Sequence, residues 1–263
     1  MKGRLALRSV AIGYLAALLA LPVGLVFYRA FEHGVGAFWE AMTTQDAQHA
    51  FWLTIEMVAI AVPLNTIFGV LCALVLVRQN FRGKALLNAA VDLPFAVSPV
   101  VIGLALILIY GRNGWIGEWL IDNGIRVIFS TPGMILATIF VSLPFVAREV
   151  VPVLREIGTE QEQAAETLGA SPLQTFFRVT LPAIRWGVAY GVVLTTARAL
   201  GEFGAVSIVS GKLSGQTETL TLLVENRFQR FDLAGAYAAS VVLAILALLT
   251  LLSMNLLRPK EGR

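Results

Sequence analysis

The chain has 263 residues, of which 57% are hydrophobic and 14% charged, with a formal net charge of +3. Soluble domains carry about a quarter of their residues as charged side chains, so water is excluded as the only solvent. Disordered, collagen-like and disulfide-scaffold architectures are excluded too, since apolar content is high, the 23 glycines show no period and the one cysteine, Cys72, lies inside an apolar run.

In chain order, uncharged stretches cover residues 10–27, 58–77, 93–110 and 128–147; residues 186–209 are interrupted only by Arg198 and Glu202; and 233–257 is again uncharged. Such runs are long enough for the hydrocarbon core of a bilayer. They are continuous and do not alternate with period two, so they predict helices and not a barrel. The expected fold is an all-α polytopic membrane protein with six transmembrane helices. The first run follows Lys2, Arg4 and Arg8, as in a secretory signal peptide. Its apolar part is longer than a signal core and ends in Tyr28 and Arg29 without a small-x-small cleavage site, which predicts an uncleaved span.

Lys and Arg between the spans fall unevenly. Thirteen lie in the amino-terminal tail, the second and fourth loops and the carboxy-terminal tail, which includes Arg258, Lys260 and Arg263; six lie on the other side. The positive-inside rule then places both termini and the fourth loop in the cytoplasm. No basic stripe with interleaved aromatics suggests nucleic acid.

Several residues interrupt the spans. Pro94 and Pro99, with Ser98 between them, break span three, and Pro63 with Asn65 does the same in span two. Proline frees carbonyls, so such helices often line cavities; packing kinks account for them equally well, and for Pro63 the kink is preferred. Gly187 and Gly191 have the small-xxx-small spacing of close helix approach. Asp92 and Glu56 lie near span ends and are assigned no chemistry. Arg198 and Glu202 are four residues apart, so on one helix they share a face. Each costs about 2.5 to 3.5 kcal/mol at the centre of an isolated membrane helix. Two readings stay open: a pair at the translocation path or gate, near Ser98, or an interior ion pair that fixes helix rotation.

The fourth loop differs from its surroundings. Thr159 followed by Glu162 has capping-box spacing, predicting a helix from Glu160 that ends at Gly169. Ser171, Pro172 and Gln174 repeat the start signal for a second helix, carrying Leu173, Phe176 and Phe177 and stopping near Pro182. The first helix presents Ala164, Ala165 and Leu168 as a small apolar ridge among Glu160, Glu162 and Glu166, suited to a groove on another protein. Leu173, Phe176 and Phe177 read equally well as residues packed under the bundle or resting in membrane lipid.

This loop resembles the signature of ABC importer permeases: Glu-Ala-Ala, three residues, Gly, nine residues, Ile-x-Leu-Pro. Here it reads Gln163, Ala164, Ala165, then Gly169, then Val179, Thr180, Leu181, Pro182, with the spacing intact. Gln163 stands where Glu is usual, with Glu162 just before it, and Val179 replaces Ile. Residues 92–103, 142–171 and 197–211 look like the W-type permease subunits of sulfate/thiosulfate importers, and molybdate permease subunits are similar in the same places.

The resemblance implies the type I importer permease fold, with residues 1–50 holding the first helix and external loop, residues 51–258 the five-helix transmembrane domain, and a coupling loop at 155–182. It implies that Glu162, Gln163, Ala164, Ala165, Leu168 and Gly169 dock on a cytoplasmic ATPase, present in two copies and holding the ATP and magnesium. It also implies a related permease subunit forming a heterodimer, an extracytoplasmic sulfate-binding protein, and residence in the cell inner membrane.

ATP has no evident site on this chain. The nearest approach to the P-loop pattern, Gly211-Lys212, has Val206 and Leu213 where Gly and Ser or Thr are needed. An ion-coupled secondary transporter usually shows two similar halves, and no internal repeat is found. An intramembrane hydrolase is disfavoured because His33 and His49, the only histidines, belong to no metal or nucleophile motif; both read as surface residues of the first external loop.

Overall fold

The structure, a computed structural model, describes residues 2–257, with side chains from 7 to 253. The expected carboxy-terminal cations Arg258, Lys260 and Arg263 and the side chains of Lys2 and Arg4 lie outside the described residues. Every regular element described is helical. The chain runs through α1 (Lys2–Leu15), a π-helical turn (Ala16–Ala20), α2 (Leu21–Phe31), α3 (Gly34–Thr43), α4 (Gln45–Arg78), α5 (Lys84–Ala96), α6 (Pro99–Tyr110) and α7 (Gly117–Asp122). It continues with α8 (Thr131–Ser142), α9 (Pro144–Ile157), α10 (Glu160–Thr167), α11 (Pro172–Thr175), a second π-helical segment (Phe176–Thr180), α12 (Leu181–Leu200), α13 (Gly204–Val209), α14 (Leu220–Gln229) and α15 (Leu233–Leu257).

Among the described residues, four helical stretches are long and apolar enough to cross a bilayer: Leu7–Phe31, Gln45–Arg78, Thr131–Ile157 and Leu233–Ser253. Counting the bent pair α5 and α6 as one span gives five, against the six expected. The difference lies in the fifth expected run, whose helix α12 stops at Leu200 and carries Arg185 and Arg198, too polar for its length. Span three also departs from expectation. Val97 and Ser98 are extended (ψ 133° and 135°), as the residue before a proline prefers, and the chain turns by 113° between α5 and α6. The 12 residues of α6 reach only about 18 Å, well short of the roughly 30 Å hydrocarbon core.

Residues expected in the first external loop are helical. α4 runs unbroken over 34 residues, so the expected boundary at residue 50 falls inside it. His49 accordingly lies within α4 and not in a loop, with a buried Nδ1. Thr44 starts the helix, its Oγ1 accepting the Ala47 N–H at 3.4 Å.

The two largest apolar cores both draw on α4. One joins Met57, Ile102, Met134 and Val206 around the short helices α6 and α13. The other joins Val70, Val150, Leu154 and Ile184 between α4, α9 and α12. In the second, α9 is clamped between glycines. A Cβ at Gly69 would stand 2.6 Å from the Val146 Cβ, and one at Gly191 would stand 2.7 Å from the Val146 Cα. Gly187 approaches the Glu149 carbonyl in the same way. The small-xxx-small spacing thus sets the α9 to α12 contact. Outward-facing residues such as Leu18, Leu19, Ile67, Leu248 and Leu249 are exposed, the inverse of a water-soluble surface and suited to lipid.

Asn65, fully buried, answers a proline-made gap. Pro144 has no N–H, and the Leu143 N–H shifts to the Phe140 carbonyl, leaving the Ile139 carbonyl free. Asn65 Nδ2 donates to it at 3.0 Å and to Ser142 Oγ at 2.8 Å. This supports the packing reading of the Pro63 and Asn65 pair.

Candidate functional site

Two places concentrate polar geometry: the hairpin between α9 and α12, and the meeting point of the broken helices. In the hairpin, α10 begins at Glu160 as expected, but the capping box at Thr159 and Glu162 does not form. Thr159 has a ψ of −2°, not the extended backbone of a capping residue, and its Oγ1 accepts from Gln163 Nε2 at 3.0 Å. Glu162 is drawn away to Arg78. The end of α10 is as expected. Gly169 takes a φ of +85°, its N–H reaches the Glu166 carbonyl at 2.9 Å, and the Ala170 N–H reaches the Ala165 carbonyl at 3.0 Å. These two bonds make a Schellman closure, which favours a residue without a Cβ penalty.

The second start signal forms fully. The Ser171 N–H donates to Gln174 Oε1 at 2.9 Å, and the Gln174 N–H donates to Ser171 Oγ at 3.4 Å. The helix does not stop near Pro182, however. It passes through the π-helical segment into α12, with the Leu181 N–H bonded to the Phe176 carbonyl. The wider turn accommodates the missing N–H of Pro182.

The hairpin has an inner and an outer side. Inward, Glu162 Oε2 lies 2.9 Å from Arg78 Nε, and Glu162 Oε1 accepts from Thr180 Oγ1 at 2.8 Å. Phe176 packs against the Leu154 and Ile184 core and meets Phe177 edge-on at 4.9 Å. Outward, Gln163, Ala164 and Gly169 are exposed and Leu168 is 88% exposed. Ala165 is half-buried beside them. With Gln161, Arg178, Val179, Pro182, Ala183 and Arg185, the residues Ala164, Ala165 and Leu168 line an open groove of about 690 Å³. Leu173 and Phe177 are exposed as well.

At the second place, α12 ends at Leu200, and Gly201, Glu202 and Phe203 separate it from α13. Arg198 and Glu202 therefore do not share one continuous helix, yet they pair, with Arg198 NH2 2.7 Å from Glu202 Oε2. The Glu202 side chain is 1% exposed and that of Arg198 30%. Glu202 Oε1 also accepts the Ala205 N–H at 2.8 Å, satisfying a free donor at the start of α13. Thr221 Oγ1 donates to the Glu202 carbonyl at 2.9 Å. Ser98 is exposed at the α5 to α6 bend, and its hydroxyl does not cap α6. The next residue, Pro99, abuts Gly204, and Gly103 packs on the Ala205 carbonyl and Ile208. The structure thus brings the Ser98 bend and the Glu202 break to one contact.

Sequence reasoning missed three polar partners. Arg78, Thr180 and Arg148 lie far along the chain from the groups they bind; Arg148 Nε donates to Asp92 Oδ1 at 2.6 Å, and its NH2 reaches Asn88 Oδ1 at 3.0 Å. No local signal could have paired them, since Arg78 and Glu162 are 84 residues apart. Among the described residues no three His, Cys, Asp or Glu side chains gather as a metal site requires.

Known proteins share this architecture. The family described as "Binding-protein-dependent transport system inner membrane component" matches residues 65–263. The chain is 54% identical over 254 residues to the sulfate transport system permease protein CysW of Synechocystis, covering 97% of this chain and 92% of that protein. It is 47% identical over 251 residues to CysW of Escherichia coli, covering 95% and 86%. It is 38% identical over 250 residues to the same organism's sulfate transport system permease protein CysT, covering 95% and 90%. Among solved structures, a bacterial ABC transporter involved in the import of the acidic polysaccharide alginate matches with a TM-score of 0.79 at 19% identity, over 98% of this chain and 95% of that one. This last likeness concerns the fold alone. The chain belongs to the family of inner-membrane components of binding-protein-dependent transport systems.

Proposed function

We propose that this chain is the transmembrane permease subunit of an ATP-driven importer for sulfate and thiosulfate. The observation that carries the reading is the 47 to 54% identity, over nearly the full length, with proteins named as sulfate permeases. The anion would be delivered by an extracytoplasmic binding protein, consistent with the family's description. A related permease subunit would complete the path as a heterodimer, a role for which a CysT-like protein has the right kinship. ATP and magnesium would be bound by two copies of a separate cytoplasmic subunit.

The hairpin supplies the mechanical part of the proposal. Ala164, Ala165, Leu168 and Gly169 form an apolar ridge with Gln163 at its edge, and we assign it to the groove of the ATPase, with both termini and this hairpin in the cytoplasm. ATP binding closes the two ATPases and displaces the ridge. The bundle then alternates between outward and inward access, with the contact between the Ser98 bend and the Glu202 break as the gate. In this scheme the transporting unit begins with α4, and α1 to α3 precede it.

The test is reconstitution of the purified complex in lipid vesicles with the binding protein. Sulfate and thiosulfate are expected to stimulate ATP hydrolysis and to accumulate. Stimulation by molybdate or tungstate alone would replace the substrate and keep the machine. Transport by this chain on its own, driven by an ion gradient, would overturn both.

A further inference from the structure

Arg78 ends α4, and its guanidinium is divided among three elements. NH1 donates to the Leu154 carbonyl at 3.1 Å and NH2 to the Gly158 carbonyl at 2.6 Å. These carbonyls close the last turn of α9, where helix ends leave acceptors free and favour a cation. The same guanidinium meets both carboxylate oxygens of Glu162 on α10, through NH2 at 3.2 Å and Nε at 2.9 Å. Glu162 in turn holds Thr180 of the π-helical segment. Both charged side chains are 17% exposed, so the pair is largely shielded from water and salt. Only a planar, multidentate donor satisfies this set at once.

Without this brace, α10 would be tied to α9 only through Gly158 and Thr159, its main remaining packing being on α11 and the π-helical segment. Gly158 has a φ of +65° and a ψ of −160°, a backbone region open chiefly to glycine, and it is the natural place for a push on α10 to be absorbed. Arg78 closes the triangle of α4, α9 and α10, so that α10 cannot rotate without moving α4.

We propose that Arg78 is the positioning residue of the coupling hairpin: it fixes α10 to the bundle so that displacement of the exposed Ala164 and Leu168 ridge moves α4 and α9 and is not lost at Gly158. Glu162 is then the inner anchor of the hairpin and not a contact to the ATPase. This inference rests on the assignment of the hairpin as the ATPase-docking element.

The experiment uses the whole importer in lipid vesicles, with sulfate-loaded binding protein, and reads sulfate taken up per ATP hydrolysed beside co-purification of the ATPase subunit. Arg78→Ala is expected to keep co-purification and ATP hydrolysis while uptake per ATP falls about tenfold, within the 5- to 150-fold range of coupling between sites. Arg78→Lys, which keeps the charge and loses the fork, should fall between the two. The double substitution Arg78→Ala/Glu162→Ala should be no worse than Arg78→Ala, because the two act as one unit. A wild-type ratio in Arg78→Ala overturns the inference, as does one in Arg78→Lys should the alanine variant fail to insert. Multiplying losses in the double variant would also overturn it. Leu168→Glu separates the underlying reading: if it keeps co-purification and uptake, the hairpin is not the docking element, whatever Arg78 does.

Discussion

Gly204 stands so close to Pro99 that a Cβ at position 204 would lie 2.8 Å from the Pro99 Cβ. The start of α13 therefore rests directly on the bend between α5 and α6, with no side chain between. Gly204→Ala is expected to force the two short helices apart and to cost about 1 to 3 kcal/mol, as overpacking does. Gly201→Ala, whose nearest contact is an ordinary 3.7 Å to the Ala197 carbonyl, should be close to neutral. Thermal unfolding of both variants in the same detergent checks the contrast, and equal melting temperatures would refute the close packing.

Arg198 and Glu202 test differently, because Glu202 also caps α13. Arg198→Ala leaves a carboxylate at 1% exposure without its cation, which destabilises strongly whatever the pair does in transport. Arg198→Met combined with Glu202→Gln removes both charges and keeps an oxygen for the Ala205 N–H, so the fold should recover. If the pair gates the path, uptake by this folded double variant falls at least about tenfold while basal ATP hydrolysis continues, within the usual coupling range. Normal uptake would make the pair a structural fastening.

The legible parts of this fold are those whose partners lie a few residues apart. Ser171, Pro172 and Gln174 meet within one turn, and Gly169 closes α10 with its own preceding carbonyls, so spacing alone located both. Thr159 and Glu162 have the same spacing and fail to cap, because Arg78 offers the carboxylate a stronger, charge-assisted partner from another helix. The break at Pro99 was legible and its 113° turn was not, since proline restricts the preceding residue while the direction is set by packing on α13. In the candidate site, the outward ridge could be read from the sequence, whereas the inner anchorage could not.

Asn65→Leu should leave the Ile139 carbonyl buried and unanswered at the α8 to α9 junction. The expected loss is about 1 to 3 kcal/mol, the cost of an orphaned buried acceptor, with insertion in the membrane unaffected. Chemical denaturation in mild detergent measures it; no loss would mean that another donor reaches Ile139.

Gly169→Val places a β-branched residue at a φ of +85°, where the strain is of order 1 to 3 kcal/mol. The Schellman closure of α10 should open, the Leu168 ridge should lose its presentation, and the ATPase subunit should fail to co-purify while the spans remain inserted. Ala165→Phe should reach the same end by bulk. Normal attachment and uptake in both variants would count against the docking role.

The π-helical segment at Phe176–Thr180 has a consequence for angular phase. A helix advances about 100° per residue, and a π turn takes up one residue more than an α turn. Thr180 points back to Glu162 while Ile184, Gly187 and Gly191 point into the bundle only because that surplus residue is absorbed just upstream. Rewinding Phe176–Thr180 as an ordinary α-helix, with no residue removed, would turn the hairpin by nearly a third of a revolution against α12. Every side chain would be retained, and the ridge would face the wrong way.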